Sequence, residues 1–193
     1  RFGGTIALGT DWTYSGSMTT TRELACADYL NETHFDGAFT DHELLQMATV
    51  NGAVALGAQG SIGSLEAGLL GDIAVFDGTG TDPFSAIFDA DSTSTVLVLR
   101  AGEALYGEQA LLDVLRSGCD AVDVCGEARA VCVQQEFGES WDTLSSTLSG
   151  AYPAIHCGAV PDDEPTCVPM RPSQYDGPTA DDADGDGEPD SSD

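Results

Sequence analysis

A carboxylate that follows an apolar run is the first feature of this chain that predicts chemistry. Residues 5–10 (Thr-Ile-Ala-Leu-Gly-Thr) are largely apolar without alternation, which is typical of a strand buried on both faces, and Asp11 comes directly after them. A carboxylate at the C-terminal end of a barrel strand points into the barrel mouth, where it can bind a metal or accept a proton from metal-bound water. The alternative is an aspartate that caps a loop or a helix.

A second set of carboxylates, at the end of the sequence, is spaced as in a calcium-binding loop. Acidic residues stand at positions 1, 3, 5, 9 and 12 of this segment, Glu188 can offer its backbone carbonyl at position 7, and Gly187 allows a sharp turn at position 6. The candidate calcium ligands are Asp182, Asp184, Asp186, Glu188, Asp190 and Asp193. The segment resembles a thrombospondin type 3 repeat, although Asp193 is shorter than the glutamate usual at position 12. The alternative is a disordered acidic tail without calcium.

The six cysteines favour disulfide bonds over free buried thiols. They are Cys26, Cys119, Cys125, Cys132, Cys157 and Cys167. The five that follow residue 118 lack the CxxC spacing of a zinc site and lie in a loop-rich, acidic region, which is typical of disulfides formed in an oxidising compartment. A local Cys157–Cys167 bond is one expectation, and Cys26, within a helical pattern, is expected to be a plain core thiol.

The three histidines, His34, His42 and His156, form no His-x-His pair. Two of them lie in or near predicted helix starts. We therefore expect none of them to ligate a catalytic metal.

Helices are predicted before residue 60 and again near residue 110. One runs from about residue 18 to 30, with Thr20-x-x-Glu23 as its candidate cap. A second begins at the capping box Thr40-x-x-Glu43 and ends at Gly57. Residues 108–115 predict a third, short helix.

Strands are predicted at residues 72–77 and 95–100, and a turn at 101–103 leads to a further strand at 104–106, which completes a hairpin. The glycines between residues 57 and 71 follow a helix and lack the dinucleotide-binding spacing, so they predict turns and no phosphate site.

The charge of the chain excludes some classes of partner. Six basic residues stand against 33 acidic ones, for a formal net charge of -27. Such a chain repels nucleic acid and anionic membrane surfaces, whereas it attracts calcium and other hard cations. Solubility or adaptation to salt is the alternative explanation of the charge. The longest apolar runs are too short for a membrane helix, so we expect no membrane insertion.

Four segments, in a fixed order, carry a family resemblance. They are LGTDWTYSGSM, RELACADYLN, ELLQMATVNGAVALG and IGSLEAGLLGDIAVFD. Together they resemble the C-terminal end of the amidohydrolase superfamily, in the branch of triazine hydrolases and cytosine or adenosine-type deaminases, over about residues 5–107. Residues 70–72, Leu-Gly-Asp, depart from the commoner Lys/Tyr-Ala-Asp of that family at a turn.

The resemblance implies a role for Asp11 and a fold. Asp11 would lie beside a divalent metal, Zn²⁺ or Fe²⁺, accept a proton from the metal-bound water and pass it to the leaving nitrogen, while the histidine ligands would lie outside this sequence. Ser15 and Ser17 would shape the substrate rim. The expected fold is α/β. Residues 1–60 would form the last strand and helices of a (β/α)8 barrel, 61–108 strands of a β-sandwich, 109–170 a cysteine-containing extension, and 171–193 an acidic linker or tail.

The expected function is that of a C-terminal fragment of a metal-dependent hydrolase. It would act on C–N bonds of a small-molecule substrate, such as a cyclic amide or an amine on a heteroaromatic ring, and this chain alone would be inactive. One alternative is a non-catalytic extracellular module held by disulfides and calcium. Another is an amidohydrolase fold that has lost its chemistry. The expected location is extracellular, periplasmic or cell-surface, and a homo-oligomer is an open expectation.

Overall fold

A computed structural model describes residues 3–11, 16–148, 155–158, 164–165 and 167, and it confirms a mixed α/β structure. The helices described are α1 (Thr20–Thr33), α2 (Asp41–Ala48), α3 (Val50–Ala55), α4 (Pro83–Phe88), α5 (Gln109–Leu115), α6 (Gln134–Phe137) and α7 (Trp141–Leu148). The strands are β1 (Ile73–Phe76), β2 (Thr95–Arg100), β3 (Glu103–Glu108), β4 (Asp120–Val124) and β5 (Glu127–Val131). No helix in these ranges is long and apolar enough to cross a membrane.

The helix starts follow the predicted caps with one shift. At α2 the capping box is confirmed: the Thr40 hydroxyl accepts from the Glu43 amide at 3.3 Å, and the Glu43 carboxylate accepts from the Thr40 amide at 2.9 Å. At α1 the cap is Thr19, one residue before the predicted Thr20, and its hydroxyl accepts from the Arg22 amide. The Glu23 carboxylate accepts from an amide further upstream, that of Ser17, and so does not complete the predicted box with Thr20.

The predicted helix from residue 40 to 57 is broken in two at Thr49. This residue has φ -125° and ψ -97°, and its hydroxyl donates to the Leu45 carbonyl at 2.8 Å. A hydroxyl that bonds the carbonyl four residues earlier perturbs a helix locally, which accounts for the bend. The chain then leaves α3 through Gly57, whose φ of +69° favours glycine and confirms the predicted stop.

The strands form one antiparallel sheet in the order β1-β2-β3-β5-β4. β2 and β3 pair as the predicted hairpin, with Val98 opposite Tyr106. β3 also pairs with β5, where Tyr106 lies opposite Val131. The sheet therefore contains strands from both sides of residue 108, where the sequence placed the border between sandwich and extension. The described residues show this sheet and not a barrel or a sandwich.

The strand predicted over residues 5–10 is wrong, since residues 3–11 have no regular secondary structure. The contacts of this segment run to helices instead of to a neighbouring strand: the Leu8 amide donates to the Met47 carbonyl at 2.8 Å, and the Asn51 side chain donates to the Ile6 carbonyl at 2.9 Å. A strand needs a ladder of backbone partners along its length, and single bonds to helix ends do not supply one.

Two apolar clusters hold the helices and the sheet. The first consists of Leu24, Leu44, Met47 and Phe88, from α1, α2 and α4, with Leu8 packed against it. The second lies between the sheet and α5 and consists of Ala104, Leu112, Ala130 and Cys132. Full burial of a Leu, Met or Phe side chain is worth about 1.5–3 kcal/mol, so the large side chains of these clusters contribute most of this local stability.

All six cysteines form disulfide bonds, as the preference for bridges over free thiols predicted, but the predicted pairing is wrong. The bonds are Cys26–Cys167, Cys119–Cys132 and Cys125–Cys157. Cys157 and Cys167 do not pair because the segment around Cys157 lies against the turn between β4 and β5, whereas Cys167 returns to α1. Cys26 is therefore not the core thiol that its helical setting predicted.

Candidate functional site

Asp11 is exposed and follows a segment that is fastened to the helices. Upstream of it, Leu8 packs on the first apolar cluster and Ile6 is bonded by the Asn51 side chain. Asp11 itself has φ +55°, a left-handed conformation that aspartate and asparagine tolerate better than most residues. The segment thus presents an exposed carboxylate from a backbone that is anchored to the helices.

At Gly16 the chain lies next to the anchored segment that precedes Asp11. Gly16 lies so close to the Thr10 carbonyl oxygen that a side chain at position 16 would not fit. Ser17 is buried, and its amide donates to the Glu23 carboxylate at 2.5 Å. The two ends of the segment 11–16 are therefore held near each other at the start of α1. Ser15, which was predicted to shape the substrate rim, lies outside the described residues.

Glu164, from the region beyond the sheet, fixes the start of α1. One carboxylate oxygen accepts from the Met18 amide at 3.0 Å, and the other accepts from Arg22 Nε at 2.7 Å. The Glu164 side chain is only 3% exposed, so this ion pair is shielded from solvent on its acidic side. Sequence reasoning missed Glu164 because no local motif marks a contact across 142 positions.

The Cys26–Cys167 bond joins the region after the sheet to α1, one turn beyond Arg22. Its Cα atoms are 5.5 Å apart, within the usual range for a disulfide. Cys26, Cys167, Arg22 and Glu164 all line one open cavity of about 730 Å³. The extension is thus joined to the helix that follows Asp11 by a covalent bond and a shielded ion pair. We call Glu164, Pro165 and Cys167 the C-terminal clamp.

Carboxylates gather between α1 and the ends of α2 and α4. Burial raises the pKa of Asp28, and repulsion from Glu32, Asp41 and Asp89 raises it further. Because the pKa of Asp28 is raised, this repulsion sets in as pH rises through the folded pKa of that carboxyl, and cations in solution screen it.

The described residues do not fit a catalytic metal. Among them, no group of three or more His, Cys, Asp and Glu side chains is arranged to hold an ion. The cysteines are consumed in disulfides, and His34 Nδ1 shares a hydrogen bond with the Thr33 hydroxyl. His42 lies in the first turn of α2. The calcium loop predicted over residues 182–193 lies outside the described residues.

The comparison with known families identifies the class of the protein. The model of the amidohydrolase family matches residues 1–105, more than half of the chain. The chain therefore belongs to the amidohydrolase family. A search of curated proteins found no match.

The matched region includes Asp11, the first apolar cluster, β1, β2 and the first residues of β3. It ends within the sheet, so β4 and β5 add strands from beyond the family region. The family region and the rest of the chain thus share a sheet and a disulfide, and the family region is not a separate unit in this protein.

Proposed function

We propose that this chain supplies a proton-transfer carboxylate, Asp11, to a hydrolase that cleaves C–N bonds in small molecules. The family match over residues 1–105 carries the proposal, because it makes the chain part of a family of hydrolases and contains Asp11. Two features support it. The carboxylate is exposed, and its backbone is anchored through Leu8 and Ile6.

The chemistry assigned to Asp11 is general base and then general acid. The carboxylate accepts a proton from the attacking water and donates it to the leaving nitrogen, so that the nitrogen departs neutral. The substrates that suit this sequence of transfers are cyclic amides and amines on heteroaromatic rings. Members of this family typically bind a divalent metal, and Zn²⁺ or Fe²⁺ is the ion we propose for the complete site. The described residues supply no ligand set, so no step is assigned to the metal.

The test compares two aspartates with the same backbone. Asp11 and Asp36 both have a positive φ, 55° and 54°, and asparagine tolerates that conformation. Each is changed to asparagine in the complete polypeptide that contains these residues, supplied with Zn²⁺ or Fe²⁺. Turnover is followed by ammonia release from aminopyrimidines and aminotriazines, and by ring opening of cyclic amides.

The expected result is a loss of at least about 100-fold in kcat for Asp11→Asn, because general acid–base catalysis contributes about 10²–10⁴-fold. Asp36→Asn should retain the activity of the parent. Full turnover by Asp11→Asn would contradict the assigned role. Absence of turnover in the parent itself on every substrate would favour a fold that has lost its chemistry.

The disulfides favour a second candidate, a non-catalytic extracellular module. Three disulfide bonds are consistent with an extracellular location. Under this proposal the acidic segment 182–193 binds calcium and the bridges hold the remainder. Calorimetric titration of calcium into the whole chain tests it: heat that disappears when Asp184 and Asp186 are changed to asparagine supports the module, and no heat contradicts it.

A further inference from the structure

Residues 155–158 form one wall of a cavity of about 350 Å³ that lies between the sheet and the start of α1. We call these four residues the wall segment. The other apolar side chains of the cavity come from the approach to α1, from the sheet and from α7, and they are Met18, Val98, Val131 and Trp141. Asp11 is not among the lining residues, so the cavity is separate from the candidate catalytic carboxylate.

One covalent bond joins the wall segment to the sheet. Cys157 is bonded to Cys125, which lies in the turn between β4 and β5. Among the described residues, no hydrogen bond joins the wall segment to the sheet or to α1. The position of the wall segment against the cavity therefore depends strongly on this disulfide.

The wall segment carries a buried nitrogen that has no hydrogen-bond partner in the described part of the chain. This atom is His156 Nε2, which has almost no accessible surface. Water would bond the same nitrogen if the segment moved away from the sheet, so its burial disfavours the seated position by a factor of about 5 to 150 in the equilibrium constant. The Cys125–Cys157 bond opposes this effect, because it keeps the segment beside the sheet.

The three disulfides differ in how accessible their cysteines are. Cys125 and Cys157 are both exposed, Cys26 and Cys167 are partly buried, and Cys132 is fully buried. A thiolate must reach a sulfur atom in order to attack it, so exposed disulfides react most readily. The bond that holds the wall segment is thus the one that a reductant in solution reaches first.

We propose that the Cys125–Cys157 bond is a redox-sensitive latch, and that its reduction by a dithiol releases the wall segment and opens the cavity. One thiolate of the dithiol attacks the bond and forms a mixed disulfide, while one cysteine leaves and takes up a proton. The second thiol then attacks the mixed disulfide, releases the other cysteine and closes the disulfide of the oxidised dithiol. Two electrons pass from the dithiol to the protein. The latch is independent of the function proposed for Asp11.

The first experiment measures the order in which the three bonds open. The whole oxidised chain is incubated with increasing concentrations of dithiothreitol, free thiols are alkylated with iodoacetamide, and the labelled peptides are identified by mass spectrometry. Cys125 and Cys157 should be labelled at the lowest dithiothreitol concentration, while Cys119 and Cys132 remain bonded to each other. The proposal is overturned if either of the other bonds opens first, or if all three open together.

A variant without the latch tests whether the wall segment then leaves the sheet. In Cys125→Asn/Cys157→Ser the turn is kept, because Cys125 has φ +58° and asparagine adopts that conformation readily. The control is Cys26→Ser/Cys167→Ser, and histidine ring signals are compared by NMR. The His156 signal should move to the position of a histidine in water in the latch variant and stay as in the parent in the control.

Three results of the NMR comparison would contradict the latch. A His156 signal that is unchanged in the latch variant would mean that the segment stays seated without the bond. Movement of all three histidine signals together would mean that the chain unfolds and that the release is not local. Equal movement of the His156 signal in the control variant would mean that the effect is not specific to the Cys125–Cys157 bond.

A second variant tests whether the buried nitrogen favours release. His156→Phe places an apolar ring in the same wall, and its burial leaves no hydrogen bond unmade. The equilibrium constant for reduction of the Cys125–Cys157 bond by dithiothreitol should then fall by at least about fivefold, because the reduced segment no longer gains a hydrogen bond to water. The constant for the Cys26–Cys167 bond should not change. An unchanged constant for the Cys125–Cys157 bond would overturn the proposal.

Discussion

Loss of the Cys26–Cys167 bond should lower the free energy of unfolding by about 5 kcal/mol. The bond joins residues 141 positions apart, and the Cys125–Cys157 bond inside that span shortens the closed path to about 110 residues. In the chain-entropy model, a loop of that length removes about 16 cal/mol/K of entropy from the unfolded chain. At 25 °C this corresponds to about 5 kcal/mol, which is a large share of the stability of a typical domain.

The assay is urea unfolding followed by circular dichroism, with the parent compared to Cys26→Ser/Cys167→Ser. For a slope of about 2 kcal/mol per molar urea, the midpoint should fall by about 2.5 M without reductant. A reducing agent supplies the matched control, because it opens the bonds in both proteins. In reductant the two midpoints should coincide, since the proteins then differ only by hydroxyl for thiol at two positions.

Two results would refute the reasoning. A fall of less than about 0.5 M without reductant would mean that closing this loop does not restrict the unfolded chain as calculated. If the two urea midpoints differ in reductant by as much as they do without it, the serine side chains and not the missing bond cause the loss of stability.

Three further predictions concern single side chains. Thr40→Ala should lower the free energy of unfolding by about 1 kcal/mol through loss of the α2 cap, whereas Thr40→Ser should keep most of it; equal urea midpoints for Ala and parent would contradict this. Burial raises the pKa of Asp91, but hydrogen bonds from Thr93 and Ser94 outweigh it and leave the pKa below its usual value. The resulting stability is present above the usual pKa and is lost as pH falls through the folded value. Asp91→Asn should therefore weaken the dependence of the melting temperature on acidic pH. A melting temperature that depends on acidic pH as in the parent would contradict this. Burial raises the pKa of Tyr106 above 10.0, so its contribution is present below that pH and is lost as pH rises through the folded value. Tyr106→Phe should reduce the alkaline loss of stability, and an identical alkaline profile would exclude the assignment.

Local patterns in the sequence predicted the elements whose causes are local. The capping box at Thr40 is a short-range pair of hydrogen bonds, and the hairpin of β2 and β3 follows from two apolar runs around a tight turn. The stop at Gly57 requires only a left-handed glycine. Such features are encoded within a few residues, and the structure contains all of them.

The wrong predictions concern features decided by distant residues. An apolar run at 5–10 fits a buried strand, but whether it becomes one depends on a neighbouring strand that the run itself does not specify. Disulfide pairing depends in the same way on which segments meet, so Cys26 met Cys167 against the local expectation. Glu164 carried no motif, and only its burial against α1 distinguishes it.

The Cys26–Cys167 bond also determines what proteolysis can do to this molecule. A cut at any peptide bond between these two cysteines leaves both pieces attached to each other, because residues 26 and 167 remain covalently joined. The piece that carries Asp11 therefore stays with the C-terminal clamp after such a cut, and it separates only when the bond is reduced. In an oxidising, protease-rich environment a nicked chain would keep its original mass apart from one added water.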